Sequence, residues 1–360
     1  MRRDIADNNF DLIRLCAALQ VAILHVTHNL SVQFSAAPWA QLLEVFPGVP
    51  VFFFISGFLI SRSYERSKTL RDYAINRTLR IFPALHVCVF LNVIAIALTG
   101  YFHTVGANVF DVTVLYLAKT TFFQFYNPDF MRKFGDGVLN GSLWTLCVEL
   151  QFYLLTPVIY YFLVSRNKVR SDVFLALLLL ISLLCNRVVY HLQVEYFASV
   201  GWKLARVSFF PWIYMFLAGV LAQRNFERIK HLLSARSFWL ALLLYTAYAS
   251  GMRWVGYGMD NSFSPLLFFP LVFLICTAAY YPSNIAKRLL HGNDVSYGIY
   301  IYHVPVMNMF LFYGLFGSIG FTVATLAITA ILAIASWVGI EKPSLMHKLR
   351  PMHPTAARGN

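Results

Sequence analysis

This sequence predicts an all-α fold, a polytopic bundle of about ten transmembrane helices. Three observations predict it. Of 360 residues, 59% are hydrophobic and 12% charged, and the mean hydropathy is +0.62. A soluble domain is about half apolar and a quarter charged. Apolar runs of about 18–22 residues, each long enough to span a bilayer, recur along the whole length. The basic residues gather in alternate connections between those runs.

Taken in order, the predicted spans are 10–32, 45–63, 82–100, 143–164, 172–192, 206–223, 237–254, 264–281, 294–314 and 319–340. MRRD precedes the first, and RSYERSKTLRDYAINRTLR separates the second from the third. SRNKVR follows the fourth, QRNFERIKHLLSAR the sixth and AKRLL the eighth. With the tail, these segments hold about 21 of the 29 Lys and Arg residues, which predicts both termini on the cytoplasmic side. The first apolar run is too long for a cleavable signal peptide and carries Arg14. Residues 101–141 break the pattern of short loops. Within them DVTVLYLAKTTFFQFY is half apolar but holds Asp111 and Lys119. Were it a span, every later basic loop would face outward, so it reads as an outer-face loop with an interfacial or re-entrant helix. The predicted membrane domain is 1–345, with a cytoplasmic tail at 346–360.

The formal charge of +13 suggests nucleic acid, but its placement in the loops fits a membrane topology instead. Cys16, Cys88, Cys147, Cys185 and Cys276 lie in or beside apolar segments and form no CxxC pair and no zinc spacing, so no metal is expected.

The first span places polar residues on one face. Arg14 and His25 are eleven residues apart, which is three helical turns with about 20° left over. His28 falls within about 40° of Arg14 on the other side of that line. About 16 Å of helix axis separates Arg14, near the cytoplasmic edge, from His25 in the outer half. Arg14 could simply snorkel to headgroups, and the histidines could satisfy contacts inside the bundle. Ionisable residues sharing an intramembrane face are nonetheless functional candidates.

Further candidates lie in other spans. Glu149, in NGSLWTLCVELQFYLLTP, reaches a depth similar to His25, so the pair could couple, the carboxylate orienting the imidazole. A structural buried pair is the plainer alternative. His303, in SYGIYIYHVPV, lies near mid-bilayer, and it, Tyr153 and Tyr300 are supporting candidates. Arg77 and Arg80, in INRTLRIFP, are three apart and share a helical face on the cytoplasmic approach to the third span. Guanidinium forks suit phosphate, though the positive-inside bias also explains such residues. Glu341 and Pro343 close the last helix and read as topological.

Together these segments resemble the acyltransferase-3 family of integral membrane O-acyltransferases. The resemblance runs from FDLIRLCAALQVAILH through PGVPVFFFISGFLISR, NRTLRIFPAL, GSLWTLCVELQFYLLTP and SYGIYIYHVPV to IEKP. Its marks are an arginine, ten residues and a histidine, here Arg14 and His25, and an Arg-x-x-Arg pair, here Arg77 and Arg80. Cys147 and Val148 stand where many members carry small hydroxyl residues and a second acid, while Glu149 is retained. Longer members add an extracytoplasmic esterase-like domain; without one, the acceptor side would be built from this chain's own loops.

The resemblance implies transfer of an acyl group, commonly acetyl from acetyl-CoA, to a hydroxyl. Family acceptors are mostly sugars of exopolysaccharide, lipopolysaccharide, peptidoglycan or nodulation oligosaccharides. A multi-pass protein of a bacterial inner membrane follows, with a glycan or glycolipid and membrane lipid as partners, no nucleic acid, and homo-oligomerisation left open. In this reading His25 is base or acyl acceptor, Glu149 orients it, and Arg77, Arg80 and Arg14 meet the CoA phosphates. Alternatives are a transporter, and an acyltransferase acting on a small-molecule or lipid acceptor. A membrane O-acyltransferase of the unrelated family with a lipid acyl donor is disfavoured by the Arg14-to-His25 spacing.

Overall fold

The computed structural model describes residues 5, 7–164, 167–196, 199–259 and 264–347. Among them there is no β-strand. The principal helices are α1 (Phe10–Leu30), α2 (Pro38–Glu44), α3 (Gly48–Arg66), α4 (Leu70–Leu98), α5 (Val109–Thr120) and α6 (Trp144–Val164). Then follow α7 (Lys168–Tyr196), α8 (Ile213–Arg224), α9 (Ala235–Trp254), α10 (Pro265–Tyr280), α11 (Ser296–Phe312) and α12 (Ile319–Ser336). Each of the ten predicted apolar segments holds a helix. Among the described residues six helical segments are long and apolar enough to cross a membrane, or seven if Phe226–Leu232 and α9, bent by 82° from each other, form one span. The shorter α8 and α10 have 12 and 16 residues. The MRRD segment and residues 348–360 of the predicted tail lie outside the described residues.

Two boundaries differ from expectation for local reasons. α4 begins well before residue 82, because Thr69 caps its start by accepting from the Asp72 amide and the helix runs on through Pro83. Arg77 and Arg80 therefore sit inside a helix. The sixth predicted span, 206–223, forms a helix only from Ile213 (α8), with Pro211 between it and a short preceding helix, Val200–Arg206. Proline supplies no N–H and resists helix continuation. Its carbonyl is satisfied by Asn186 Nδ2 at 2.8 Å.

Small residues set the closest crossing. A Cβ added to Gly57 of α3 would stand 1.9 Å from the Phe216 carbonyl oxygen of α8; one added to Gly219 would stand 2.1 Å from that of Phe54. Close approach through glycine is how membrane helices gain dispersion energy when lipid offers no hydrophobic drive.

α11 is the axis of the site. Every residue from Ser296 to Asn308 is buried. α1 runs parallel to it, with Arg14 beside Asp294 and His25 beside His303. α4 is parallel too: Tyr297 donates to the Ile81 carbonyl and Cys88 to that of Ile301. α6 is antiparallel, since Thr145 meets Tyr300 while Tyr153 lies by Tyr73. Within 101–141, α5 opens with a reciprocal capping box between Asn108 and Asp111 and folds back along α4. Tyr116 reaches His86 there at 3.1 Å. The segment then docks on α11, where Asn308 accepts from the Asp136 amide and donates to the Val138 carbonyl.

Candidate active site

Two polar clusters form at opposite ends of the parallel α1–α11 pair. The first centres on Asp294, whose side chain is 8% exposed. It accepts from Arg14 at 2.9 Å and, in a short contact, from Arg80. The Ser296 amide and hydroxyl donate to its other oxygen. One carboxylate thus fixes two guanidiniums from two helices. Glu341, read from sequence as topological, is buried at 3% exposure, accepts from Ser336 at 3.1 Å and lies within electrostatic reach of Arg80. It sits in a π-helical turn, Trp337–Glu341, which swings it inward.

Arg77 and Arg80 share a helix but not a partner. Arg77 donates to Ser63 at 2.9 Å and lies 5.7 Å over the Tyr153 ring. Its Nε is buried without a hydrogen-bond partner. Tyr153 donates to Glu149 at 2.9 Å, and Ser56 donates to the same oxygen at 3.3 Å. The carboxylate thus ties α3 to α6.

The second cluster is a pair of imidazoles. His25 Nδ1 lies 3.1 Å from His303 Nε2, and the ring centroids are 5.3 Å apart. His303 is fully buried, while His25 is exposed. The coupling of His25 with Glu149 is therefore not what the fold makes. The partner of His25 is His303, because α11 and not α6 packs along α1 at that level. Tyr300 sets its ring against His303 at 5.9 Å, and its hydroxyl is held by Thr145 at 2.7 Å. His28 leaves the shared face: its Nδ1 lies 2.7 Å from the Leu24 carbonyl and its Nε2 3.7 Å from Glu44, which also binds Arg253.

Beside the arginine cluster lies a small cavity of about 30 Å³, lined by Arg14, Phe52, Thr145, Glu149, Ser296 and Tyr300 among others, with neither histidine in its wall. Arg14 and Tyr300, which packs on His303, both border it. Sequence reasoning missed Asp294. Its only signal is an acid in the short NDVS stretch just before the helix that carries His303, with its partners 280 and 214 residues away.

A membrane helix bundle with cationic groups at one end of a buried seam and imidazoles at the other has the outline of a group-transfer enzyme. Comparison makes the class specific. The chain belongs to the acyltransferase-3 family, whose profile, described as an acyltransferase domain, matches residues 7–340. It is 33% identical over 359 residues to nodulation protein 10 of Rhizobium leguminosarum bv. viciae, covering 95% of this chain and 94% of that protein. It is 29% identical over 314 residues to the O-acetyl transferase of Shigella phage Sf6, covering 84% and 85%. It is 26% identical to the putative peptidoglycan O-acetyltransferase YrhL of Bacillus subtilis (strain 168), over 92% of this chain but 54% of that longer protein. No solved structure matches significantly. The protein is a multi-pass integral membrane O-acetyltransferase.

Proposed function

We propose that this enzyme takes an acetyl group from cytoplasmic acetyl-CoA and transfers it to a hydroxyl of a cell-surface or secreted glycan, working in a bacterial inner membrane. The donor reading rests on the arginine end. Arg14, anchored by Asp294, lines the cavity, and Arg77 lies over Tyr153, which bonds the cavity-lining Glu149. Guanidiniums suit the donor's phosphates, being always charged and able to bond bidentately. The glycan reading draws on relatives named as peptidoglycan O-acetyltransferases.

The observation that carries the proposal is the spacing of the two clusters. Arg14 and His25 lie on one helix, about 16 Å apart along its axis, a length on the order of an extended pantetheine arm. A donor whose phosphates stay at the arginines would present its thioester near His25. His25 takes the proton of the acceptor hydroxyl as the oxygen attacks the thioester carbonyl. The C–S bond then breaks, the imidazolium returns the proton to the leaving thiolate, and the products are an acetyl ester and free CoA.

Radiolabelled acetyl-CoA, supplied to the purified protein with a panel of glycans, tests the reading. Label should pass to an acceptor, and His25→Ala should cut transfer by about 10²–10⁴-fold while folding normally. Near-wild-type transfer by that variant would overturn the role of His25. Solute uptake without covalent change would favour a transporter instead.

A further inference from the structure

The two imidazoles decide each other's tautomer. His303 Nδ1 lies 3.3 Å from the Ile299 carbonyl, one turn back on α11. A carbonyl only accepts, so this nitrogen carries a hydrogen. A neutral imidazole has one N–H, which leaves His303 Nε2 bare. The atom facing that lone pair, at 3.1 Å, is His25 Nδ1. It must be the donor, and His25 Nε2 is then the nitrogen with a free lone pair.

We propose that His303 is the positioning residue of this enzyme: the relay from His25 Nδ1–H to His303 Nε2, with His303 Nδ1–H on the Ile299 carbonyl, leaves His25 Nε2 as the base. This deepens the reading of His25 given above and rests on it. A second imidazole does here what a carboxylate does behind many catalytic histidines, namely fixing ring orientation and tautomer. A neutral partner suits this place. His303 is 0% exposed, and an isolated carboxylate there would be costly to desolvate. No water competes for its Nε2, so the choice of tautomer is strict.

The surroundings hold the geometry. Val26 and Leu30 of α1 pack with Val304 and Met307 of α11 in a separate apolar cluster beside the pair. The Tyr300 ring braces His303 from within α11. During turnover the His25 imidazolium keeps its Nδ1–H on His303, so one proton's charge is shared by the pair without a partner moving.

The test is ¹⁵N-histidine NMR on the purified full chain together with transfer kinetics, using His25→Ala to assign the signal. Wild-type His25 should be protonated at Nδ1 and bare at Nε2. In His303→Leu it should move toward the Nε2–H form, with kcat lowered by about 10²-fold or more and the donor KM unchanged. His303→Gln, whose side-chain oxygen can accept from Nδ1–H, should recover a substantial part of kcat. An Nε2–H tautomer in wild type, equal loss in the Leu and Gln variants, or full kcat in His303→Leu would each overturn the proposal. If His303→Leu does not fold, the wild-type spectrum and the Gln variant still decide. Activity in His25→Ala would instead sink the underlying role of His25. An inactive His25→Ala with the wrong wild-type tautomer would sink only this inference.

Discussion

Asp294→Asn is the most informative single change at the arginine end. The substitution keeps the side chain's size and removes its charge. It leaves Arg14 and Arg80, whose side chains are 19% and 13% exposed, without the carboxylate they share. Breaking a buried ion pair by removing one partner costs about 3–5 kcal/mol, because an uncompensated charge remains. Glu341 stays within reach of Arg80 and offsets part of the loss, which places the expected value at the low end, about 3 kcal/mol. At about 2–4 °C per kcal/mol, that is a fall in Tm of roughly 6–12 °C. Thermal unfolding of the detergent-solubilised protein measures it. Adding Arg14→Gln to Asp294→Asn should cost less than the sum of the single changes, by about 0.5–3 kcal/mol, since the two residues are in direct contact. Transfer should fall in parallel, because the guanidinium lining the cavity loses its anchor. A Tm within about 2 °C of wild type, or strict additivity in the double variant, would refute the shared anchor.

Three further outcomes follow from other contacts. Gly57→Ala should destabilise by about 1–3 kcal/mol, because its Cβ would meet the Phe216 carbonyl oxygen at 1.9 Å, whereas Gly251→Ala in α9, with nothing within 4 Å, should be neutral or slightly stabilising; parallel unfolding curves compare them. Arg77→Lys should raise the donor KM several-fold with a smaller change in kcat, since the ammonium lacks the planar fork now stacked over Tyr153; steady-state kinetics with varied acetyl-CoA reads the split. Tyr300→Phe should cost about 0.5–1.5 kcal/mol by removing the hydroxyl contact with Thr145, which still donates to the Ser142 carbonyl, with ring packing on His303 retained and transfer largely preserved.

The sequence by itself determined the class of fold and most of the ingredients. Apolar run length fixes where helices form, because only an internally hydrogen-bonded helix satisfies the backbone in lipid. Residue spacing within one helix fixes which side chains share a face, so the alignment of Arg14 with His25 was legible. Relations between helices were not. The same α1 face that carries Arg14 and His25 also predicted His28 toward the bundle, yet His28 turns to Glu44. Glu149 was matched to His25 by depth alone, and depth along the bilayer says nothing about rotation about it. Which helix stands beside α1 is settled by packing of distant segments, through close glycine crossings and through burial of α11 on all sides. That packing gave His25 a second imidazole and gave both arginines one aspartate. Such pairings join residues more than 200 positions apart, and a pattern that reports only local periodicity carries no trace of them.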